Sequence, residues 1–233
     1  MKIFAISDLH LSINNPKPMD IFGHKWDNYV DKICGDWNAK VTDGDIVLIA
    51  GDISWAMALE NAAPDLEFIG RLSGHKVILR GNHDYWWKSI SAVRALLPPK
   101  MYAVQNDALR FDGAVICGSR GWTVPETAGV YPNEQDKKLY LREAERLKMS
   151  LQAAAKLKQD GDRLICMTHY PPFNLSLDDS DYTRLIAEYG AEACVYGHLH
   201  GYNTRKDCII VKDNVKYILT SCDLTGNKLI EVT

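Results

Sequence analysis

The sequence predicts an α/β fold with two β-sheets, and three observations lead to this prediction. Strand-like and helix-like patterns alternate over residues 1–100, which is typical of βαβ units. After Pro98-Pro99 the pattern changes, and two short apolar runs flank Asp112-Gly113, a strong β-hairpin signal. Five apolar runs along the chain end directly in polar residues. We therefore expect a largely parallel sheet first and a second sheet, with antiparallel strands, from about residue 108.

The strand predicted at residues 46–50 is the one from which the functional prediction starts. This run is rich in β-branched side chains and too short for a free-standing helix, so it is expected to be the central strand of a sheet covered on both faces. It leads directly into Gly51 and Asp52. Ligands collect at the C-terminal ends of strands in layered α/β proteins. Asp52 is therefore expected at the rim of a site.

Four further apolar runs, at residues 3–6, 77–79, 164–167 and 193–196, end in the same way. The polar residues that follow them are Asp8, His10, Asn82, His83, His169, His198 and His200. These segments contain five of the seven histidines of the chain. Oxygen and nitrogen donors of this kind suit Mn, Fe, Zn and similar divalent ions, whereas a thiolate site would use the cysteines. The pattern predicts a metal site at these strand ends.

Helices are predicted where apolar residues recur at helical spacing, at residues 25–39, 56–72, 88–97 and 133–159. Asp160-Gly161 is expected to end the last of them. Residues 207–220, with a turn at Asp213-Asn214, are expected to complete the second sheet. The turn-rich segment 11–23 is expected to loop over the site. No interdomain linker is visible, so residues 1–233 are interpreted as one domain.

The composition narrows the class of protein. The chain has 233 residues, 46% of them hydrophobic, which suffices for a substantial core. Its net charge is only −3 and its basic residues are dispersed, unlike those of a dedicated nucleic-acid-binding protein. No segment shows a targeting pattern or the roughly 18 apolar residues of a membrane span. We expect a cytoplasmic protein without a membrane partner, whose six cysteines, none in a CxxC pair, are reduced.

The polar segments occur in a specific order along the chain. They are Asp8-x-His10, Gly51-Asp52, Gly81-Asn82-His83-Asp84, His169 and Gly197-His198-x-His200. This set resembles the calcineurin-like metallophosphoesterase superfamily, in particular its small bacterial-type phosphohydrolases. One Gly-Asp or one His-x-His alone is a weak signal, but five blocks in family order over residues 8–200 are specific. The resemblance implies a two-sheet β-sandwich flanked by helices, a four-layer fold whose site lies where the strand ends of both sheets meet.

The resemblance also implies roles for these residues. Asp8, His10 and His200 would bind one divalent ion, and Asn82, His169 and His198 a second, with Asp52 bridging both. A shared carboxylate offsets the repulsion between two cations held close together. The ions would be Mn, Fe, Zn, Co or Ni, since mixed nitrogen and oxygen sites accept any of these. His83 lies next to a ligand and would contact the phosphate or act as the general acid.

The implied activity is hydrolysis of phosphate mono- or diesters of a small or nucleotide-like substrate by a hydroxide that bridges the ions. Two alternatives stay open, a nuclease like those of the DNA-repair branch and a non-catalytic scaffold of the same fold. Such nucleases generally have further parts after the catalytic core, and such scaffolds usually lose ligands. This sequence retains all seven ligand positions and His83. The native metals, the substrate and the oligomeric state stay open.

The sequence departs from the family pattern after Gly51-Asp52. Protein Ser/Thr phosphatases of the superfamily have an Asp-Arg-Gly there, whereas this chain has Ile53-Ser54-Trp55. A phosphatase of that kind is therefore not expected, and the group that orients His83 is left open. Arg80 and Arg120 are candidates for holding phosphate, and Arg120 is the one assigned to the substrate. Trp55, Trp86 and Trp87 have two possible roles, which the sequence leaves open. They could pack in the core, or they could form an apolar wall for the substrate.

Overall fold

The computed structural model describes residues 1–14, 16–201 and 208–233. Two residues of the predicted segments lie outside this range. They are Asn15, in the predicted loop 11–23, and Asp207, at the start of the predicted C-terminal strands. Strands and helices alternate as far as residue 104 and again over residues 134–196. A short two-strand unit separates these two stretches, at the point where the sequence pattern changes.

The first sheet contains the predicted central strand. Its strands are β1 (Ile3–Ile6), β2 (Ile46–Ile49), β3 (His75–Leu79), β4 (Met101–Val104) and a final short β11 (Ile230–Glu231). They lie in the order β11-β1-β2-β3-β4, with β1 to β4 parallel and β11 antiparallel to β1. The prediction that residues 46–50 form the central strand is confirmed, although the strand ends at Ile49 and Ala50 begins the loop.

The second sheet begins with the predicted hairpin. Its strands are β5 (Ala108–Phe111), β6 (Ala114–Gly118), β7 (Arg163–Met167), β8 (Ala193–Tyr196), β9 (Ile209–Lys212) and β10 (Val215–Leu219). Their order is β5-β6-β7-β8-β10-β9, with four parallel strands in the middle and an antiparallel strand at each edge. The predicted turns at Asp112-Gly113 and Asp213-Asn214 connect the two antiparallel pairs, and each contains positive φ at its tip.

Helices cover the outer face of each sheet. They are α1 (Tyr29–Lys40), α2 (Leu59–Gly70) and α3 (Ile90–Leu96) on the first sheet, and α4 (Glu134–Leu157) and α5 (Asp181–Glu188) on the second. A separate apolar cluster lies under each group of helices, and a third, with Leu48, Ile165 and Val195, fills the space between the sheets. Fully burying one such side chain stabilises the fold by about 1.5–3 kcal/mol. The implied order of helix, sheet, sheet and helix layers is confirmed.

The sequence pattern does not indicate three of the described helices and strands, and it predicts the start of α1 too early in the chain. β4 and β11 are short, and α5 starts at a Ser180–Thr183 capping box that lacks the usual Glu or Gln. Residues 24–26 form a 3₁₀ turn, which Asn28, with a φ of 49°, separates from α1. None of the described helices has the length of apolar sequence needed to cross a lipid bilayer.

The two sheets come together at the end where their parallel strands terminate. The amide of Ser7, just after β1, donates to the carbonyl of Thr220, just after β10, at 2.9 Å, and Ser7 also pairs with Ser221. The loops that follow β1 and β2 are joined in the same way, because the Asp8 amide donates to the Gly51 carbonyl at 2.9 Å. This edge therefore brings side chains from both sheets into one place.

Candidate metal centre

The structure brings all seven predicted ligand residues and His83 to this common edge. Asp8 and His10 follow β1, Asp52 follows β2, and Asn82 and His83 follow β3, whereas His169 follows β7 and His198 and His200 follow β8. The first sheet supplies both aspartates and the asparagine, and the second supplies three of the histidines. The site exists only where the two sheets meet, which is the location that the resemblance implied.

Several of these residues have an unusual backbone conformation. The φ angles of Asp8, His10, Asp52 and His198 are 59°, 45°, 51° and 73°. Residues other than glycine rarely adopt this left-handed region, and doing so costs on the order of 1–3 kcal/mol. Such strain persists where the surrounding structure imposes it, and it is concentrated at functional sites. Here four of the eight residues at this edge adopt this conformation.

Two of the motif glycines are required by close approach of the loops. A Cβ atom on Gly81 would collide with the carboxylate and backbone of Asp52, and one on Gly197 would collide with the carboxylate of Asp8 and with Ser7. Glycine is the only residue that leaves this space free. The glycines before Asn82 and His198 therefore let the ligand-bearing loops of different strands touch.

One group of donors converges on the side-chain oxygen of Asn82. Asn82 Oδ1 lies 2.6 Å from His169 Nε2 and 2.8 Å from His198 Nδ1. The other ring nitrogen of His169, Nδ1, lies 2.9 Å from the carbonyl oxygen of Ala50, to which it can donate. This bond leaves the Nε2 lone pair directed towards Asn82 Oδ1. Three donors on loops from both sheets are thus close enough to share one cation.

A second group lies around Asp8. The donor atoms of Asp8, His10 and His200 all lie within 4.8 Å of one another, and His200 Nε2 is 3.2 Å from Asp8 Oδ1. The carboxylate of Asp8 is completely buried and accepts hydrogen bonds from the hydroxyls of Ser7 and Ser221, at 2.5 and 3.0 Å. These bonds fix the carboxylate while its Oδ1 faces His200.

Asp52 lies between the two groups. Its Oδ2 is 3.4 Å from His169 Nε2 and 3.8 Å from His10 Nε2, while its Oδ1 accepts a hydrogen bond from the His83 amide at 2.8 Å. The donors of Asp8, Asp52 and His169 also lie within 4.8 Å of one another, so the two groups are continuous. The assignment of each residue to a particular ion stays a prediction, and this geometry is compatible with it.

The donor set fits a divalent cation. Asp8 and Asp52 are buried, and among the described residues no lysine or arginine pairs with either carboxylate, whose charged neighbours are histidines. With its Nδ1–H hydrogen-bonded to the Ala50 carbonyl, a neutral His169 would direct a lone pair at the oxygens of both Asn82 and Asp52. Positive charge between these atoms removes the repulsion, and carboxylate, amide and imidazole donors suit Mn, Fe, Zn, Co and Ni.

The pKa shifts of the site reflect this negative environment. Burial acts to raise the pKa of Asp8, but the hydrogen bond from His200 and the charge of His169 hold it well below its usual value. Burial acts to lower the pKa values of His169 and His200, yet their carboxylate partners raise them to about 9 and about 10. The two aspartates thus draw positive charge to the positions where cations would lie.

The other two imidazoles of the centre shift in the opposite direction. Burial is the largest cause for both, and it lowers the pKa values of His10 and His198 to about 4. For His198 the charge of His169 lowers the pKa further. Both rings are consequently neutral near pH 7, and a neutral imidazole has a lone pair available for a metal ion.

Asp223 is a residue of the site that the sequence did not indicate. Its Oδ1 lies 2.9 Å from His200 Nδ1 and its Oδ2 accepts a hydrogen bond from the Gly201 amide at 3.1 Å. A carboxylate on the far nitrogen of a ligating histidine fixes the tautomer and orientation of the ring. Asp223 follows β10 in a Cys-Asp-Leu sequence with no motif, but it does follow an apolar strand, which is the one signal that points to it.

The imidazole ring of His83 has no carboxylate as a hydrogen-bond partner among the described residues. Asp84 does not orient it, because the Asp84 carboxylate accepts hydrogen bonds from the amides of Ile53 and Gly81, at 2.9 and 2.7 Å, and from the Trp86 indole. His83 Nδ1 is buried and has no hydrogen-bond partner among the described residues. Its ring lies 4.9 Å from that of Trp55, which also stacks on His10 at 4.7 Å. Trp55 thus occupies the space beside His83.

The remaining candidates lie at or beyond the margin of the centre. Arg120 is 3.7 Å from the carboxylate of Glu143 and stacks over the ring of Trp122, so its predicted substrate contact stays a prediction. Trp86 and Trp87 are fully buried and form part of the core. This burial supports a role in packing, rather than in contact with the substrate, for both. Tyr170 lies against the ring of His198 at 4.2 Å. The described cysteines are all free thiols.

Comparisons with known proteins bear on the fold and on the family of the chain. None of the curated protein sequences matches the chain. Three solved structures share the fold over nearly the whole chain. The protein TT1561 of Thermus thermophilus has 14% identity, a TM-score of 0.60 and coverage of 98% of this chain and 96% of its own.

The other two are a phosphopantetheinyl hydrolase from Mycobacterium tuberculosis and AQ665 from Aquifex aeolicus, described as a protein of unknown function. Each has 16% identity and covers 99% of this chain and 95% of its own, with TM-scores of 0.56 and 0.53. Similarity at this identity shows the fold alone. The sequence model of the calcineurin-like phosphoesterases matches residues 1–202. With this match over most of its length, the chain belongs to the calcineurin-like phosphoesterase family.

Proposed function

We propose that this protein is a dinuclear metal-dependent phosphohydrolase that cleaves mono- or diesters of a small or nucleotide-like substrate. The observation that carries the proposal is the position of Asp52, whose Oδ2 lies 3.4 Å from His169 and 3.8 Å from His10, between two groups of nitrogen and oxygen donors. A single ion does not require two such groups. The ions would be Mn, Fe, Zn, Co or Ni, and the proposed location is the cytoplasm.

The proposed roles of the side chains in the centre are to bind the ions and to orient the ligands. Asp8, His10 and His200 would hold one ion, Asn82, His169 and His198 the other, and Asp52 both. Two divalent ions held by these residues would polarise the phosphate and activate the attacking water. The carbonyl of Ala50 and the carboxylate of Asp223 hold the rings of His169 and His200 in the orientation that directs Nε2 inward.

His83 is the proposed proton donor to the leaving oxygen. The hydrogen bond from its backbone amide to Asp52 keeps the residue beside the centre, and its position next to Asn82 supports a role at the substrate rather than among the ligands. The ring lies among His10, Trp55 and Tyr85, with centroid separations of 5.7, 4.9 and 6.1 Å. These contacts restrict the ring, and among the described residues neither of its nitrogens bonds to a carboxylate. General acid catalysis by such a group is typically worth about 10²–10⁴-fold.

The experiment that tests the proposal is hydrolysis by the manganese-loaded protein of a panel of esters. The panel contains phosphate monoesters, small diesters, nucleotides, phosphopantetheine esters, a phosphopeptide and duplex DNA. We expect turnover of small esters above that of the phosphopeptide and of DNA, because the chain lacks the Asp-Arg-Gly arginine and its basic residues are dispersed along the sequence. Faster cleavage of duplex DNA than of small diesters favours the nuclease alternative. No turnover of any ester with metal bound favours the scaffold.

A further inference from the structure

A second cavity, separate from the metal centre, is lined by an excess of positive charge. It has a volume of about 270 Å³, and its charged lining residues are Arg80, Lys88, Arg120, Arg142, Glu143 and Arg146. Five cations face one carboxylate, which leaves four positive charges unbalanced. A concave surface with a single sign of charge concentrates ions of the opposite sign. The cavity therefore favours an anion.

The one carboxylate organises the arginines without neutralising them. Glu143 is buried, and the same oxygen, Oε1, lies 2.7 Å from Arg146, 3.4 Å from Arg142 and 3.7 Å from Arg120. One unit charge cannot balance three guanidinium groups. Each guanidinium has five N–H donors in a planar fork, so donors remain for another ligand. Glu143 thus keeps the three groups together and oriented.

The other two cations have no such partner. Among the described residues, neither Arg80 nor Lys88 forms an ion pair, and Arg80 Nε is buried without a hydrogen-bond partner. A buried donor that is left unsatisfied costs about as much as a lost hydrogen bond. Water or an anion in the cavity would satisfy it. Of these two, an anion also offsets the repulsion among the cations.

The cavity lies directly beside the proposed metal centre. Arg80 is two residues before Asn82, so their Cα atoms are at most about 7 Å apart. The carbonyl of Arg120 accepts hydrogen bonds from the amides of His169 and Tyr170, at 2.9 and 3.0 Å. The loop that carries Asn82 thus continues into the wall of the cavity, and the loop that carries His169 is hydrogen-bonded to that wall at Arg120. A ligand in the cavity and a phosphate at the metal centre would be neighbours.

We propose that this cavity binds a phosphate group other than the one that is hydrolysed. Arginine forks match phosphate oxygens in geometry as well as charge, and Lys88 adds a point charge at the exposed side. The shared walls favour a second phosphate of the substrate itself, and this part rests on the proposed function. Free inorganic phosphate has the same chemistry, and the experiment below separates the two sources.

The binding test uses inorganic phosphate, calorimetry and manganese-loaded full-length protein. The variant is Lys88→Gln/Arg142→Gln, which leaves Arg120 and Arg146 to pair with Glu143. Its matched control is Lys138→Gln/Lys148→Gln, which removes the same charge from two exposed lysines of α4 that do not line the cavity. We expect a phosphate-binding event in wild type and control that is weaker by about tenfold or more in the variant. Equal binding by all three proteins, or equal weakening in variant and control, overturns the proposal.

A second arm identifies the source of the phosphate and separates this proposal from the preceding one. The KM values of alkanediol bisphosphates are compared with those of alkyl monophosphates of the same chain length. A KM at least about tenfold lower for a bisphosphate, lost in the variant, assigns the cavity to the substrate. Equal KM values with phosphate binding retained assign it to free phosphate.

If wild type hydrolyses no ester, the proposed function fails while the phosphate titration still decides the cavity. Thermal unfolding checks folding, and Lys88→Gln alone replaces the double variant if that unfolds.

Discussion

Within the described part of the chain, the imidazole of His83 lacks a hydrogen bond that two of the proposed ligands, His169 and His200, make through their second ring nitrogen. His169 and His200 each have a second nitrogen bonded to an oxygen, of Ala50 and of Asp223, whereas the Nδ1 of His83 has no partner among the described residues. A ligand benefits from a fixed tautomer, because one nitrogen must keep its lone pair towards the ion. A group that moves a proton needs a nitrogen that can carry it. The contrast holds for His169 and His200 but not for His10, a proposed ligand whose Nδ1, like that of His83, has no partner among the described residues.

The first prediction at the scale of residues concerns His83→Ala. If His83 protonates the departing oxygen, its removal lowers turnover of an alkyl ester by about 10²–10⁴-fold and that of a nitrophenyl ester much less, because nitrophenolate hardly needs a proton. The ratio of kcat values for the two esters, with bound metal measured in parallel, checks this. An equal loss on both esters points to phosphate binding, and loss of an ion shows that His83 is a ligand.

The second prediction concerns Asp223, which acts on the centre through His200. Asp223→Ala removes the acceptor for His200 Nδ1, and losses of metal affinity of about 10–100-fold are usual for such partners. Asp223→Asn retains one acceptor oxygen and is expected to recover part of the affinity. Competition with a metal chelator gives the dissociation constants without recourse to turnover. Wild-type affinity in the alanine variant would show that Asp223 has no positioning role.

The contrast between Asp223 and Asp52 shows how far single residues could be predicted. Asp52 belongs to a Gly-Asp block, and Gly81 must be glycine because a Cβ there would collide with Asp52. Constraints of this kind leave short motifs in the sequence. Asp223 contacts His200 only because β10 lies beside β8 in the sheet, and that adjacency is a property of topology. The basic cavity could be predicted only in part, since the sequence indicates Arg80 and Arg120 as candidates for holding phosphate, whereas their meeting with Arg142 is a property of the fold.

At the scale of elements, a buried lysine joins α2 to β3. Lys76 has an exposed fraction of only 1%, and its Nζ donates to the carbonyls of Gly70, Leu72 and Gly74 at 3.1, 2.7 and 3.0 Å. The last carbonyls of a helix lack partners within the helix, and a cation near them is favourable. Lys76 thus ends α2 and fixes the loop that leads into β3, the strand that carries Asn82 and His83.

Lys76→Met is therefore expected to destabilise the fold. The apolar side chain fills the space but leaves three carbonyls without their donor, and a loss of about 1–3 kcal/mol is expected. Denaturant-induced unfolding of the metal-free protein measures it. Lys100→Met is the matched control, because among the described residues the ammonium group of Lys100 pairs only with the exposed Asp43, at 3.5 Å, and such pairs contribute about 0–1 kcal/mol. Equal losses in the two variants would contradict the role given to Lys76.

The elements were predictable where local sequence decides them. The hairpin β5–β6 and the turn between β9 and β10 follow from Asp112-Gly113 and Asp213-Asn214, because few other residues adopt positive φ at low cost. β11 could not be predicted, since it has two residues and owes its place to pairing with β1. The break between the 3₁₀ turn at 24–26 and α1 depends on a single backbone angle at Asn28, which helical spacing does not reveal.

At the scale of the whole molecule, the proposed centre joins the two sheets. His169 and His198 come from the second sheet, whereas Asp8, Asp52 and Asn82 come from the first, so ions bound among them cross-link the sandwich. A ligand that binds only the folded state stabilises it by about 2.7 kcal/mol at a hundred times its dissociation constant. For a chain of this size, each occupied site is expected to raise the Tm by about 5–10 °C.

Thermal unfolding with and without manganese checks this prediction. Chelation is expected to return the Tm to the metal-free value without further effect, because the apolar cluster between the sheets contains none of the ligands. Magnesium at the same concentration is a suitable control, since it retains its own water and prefers oxygen donors. A Tm indifferent to manganese would place the ions elsewhere or show that they do not bind.

The central claim is that two ions act together across Asp52, and the most direct test is a manganese titration of metal-free protein. Bound ion and ester hydrolysis are followed in the same samples, with wild type and Asp52→Asn side by side. The account predicts that wild-type activity reaches its plateau at two ions per chain. It predicts that Asp52→Asn stays folded, retains at most one ion and loses nearly all turnover, because a neutral amide leaves two cations uncompensated. Full activity at one ion, or wild-type turnover by Asp52→Asn with two ions bound, would contradict the account.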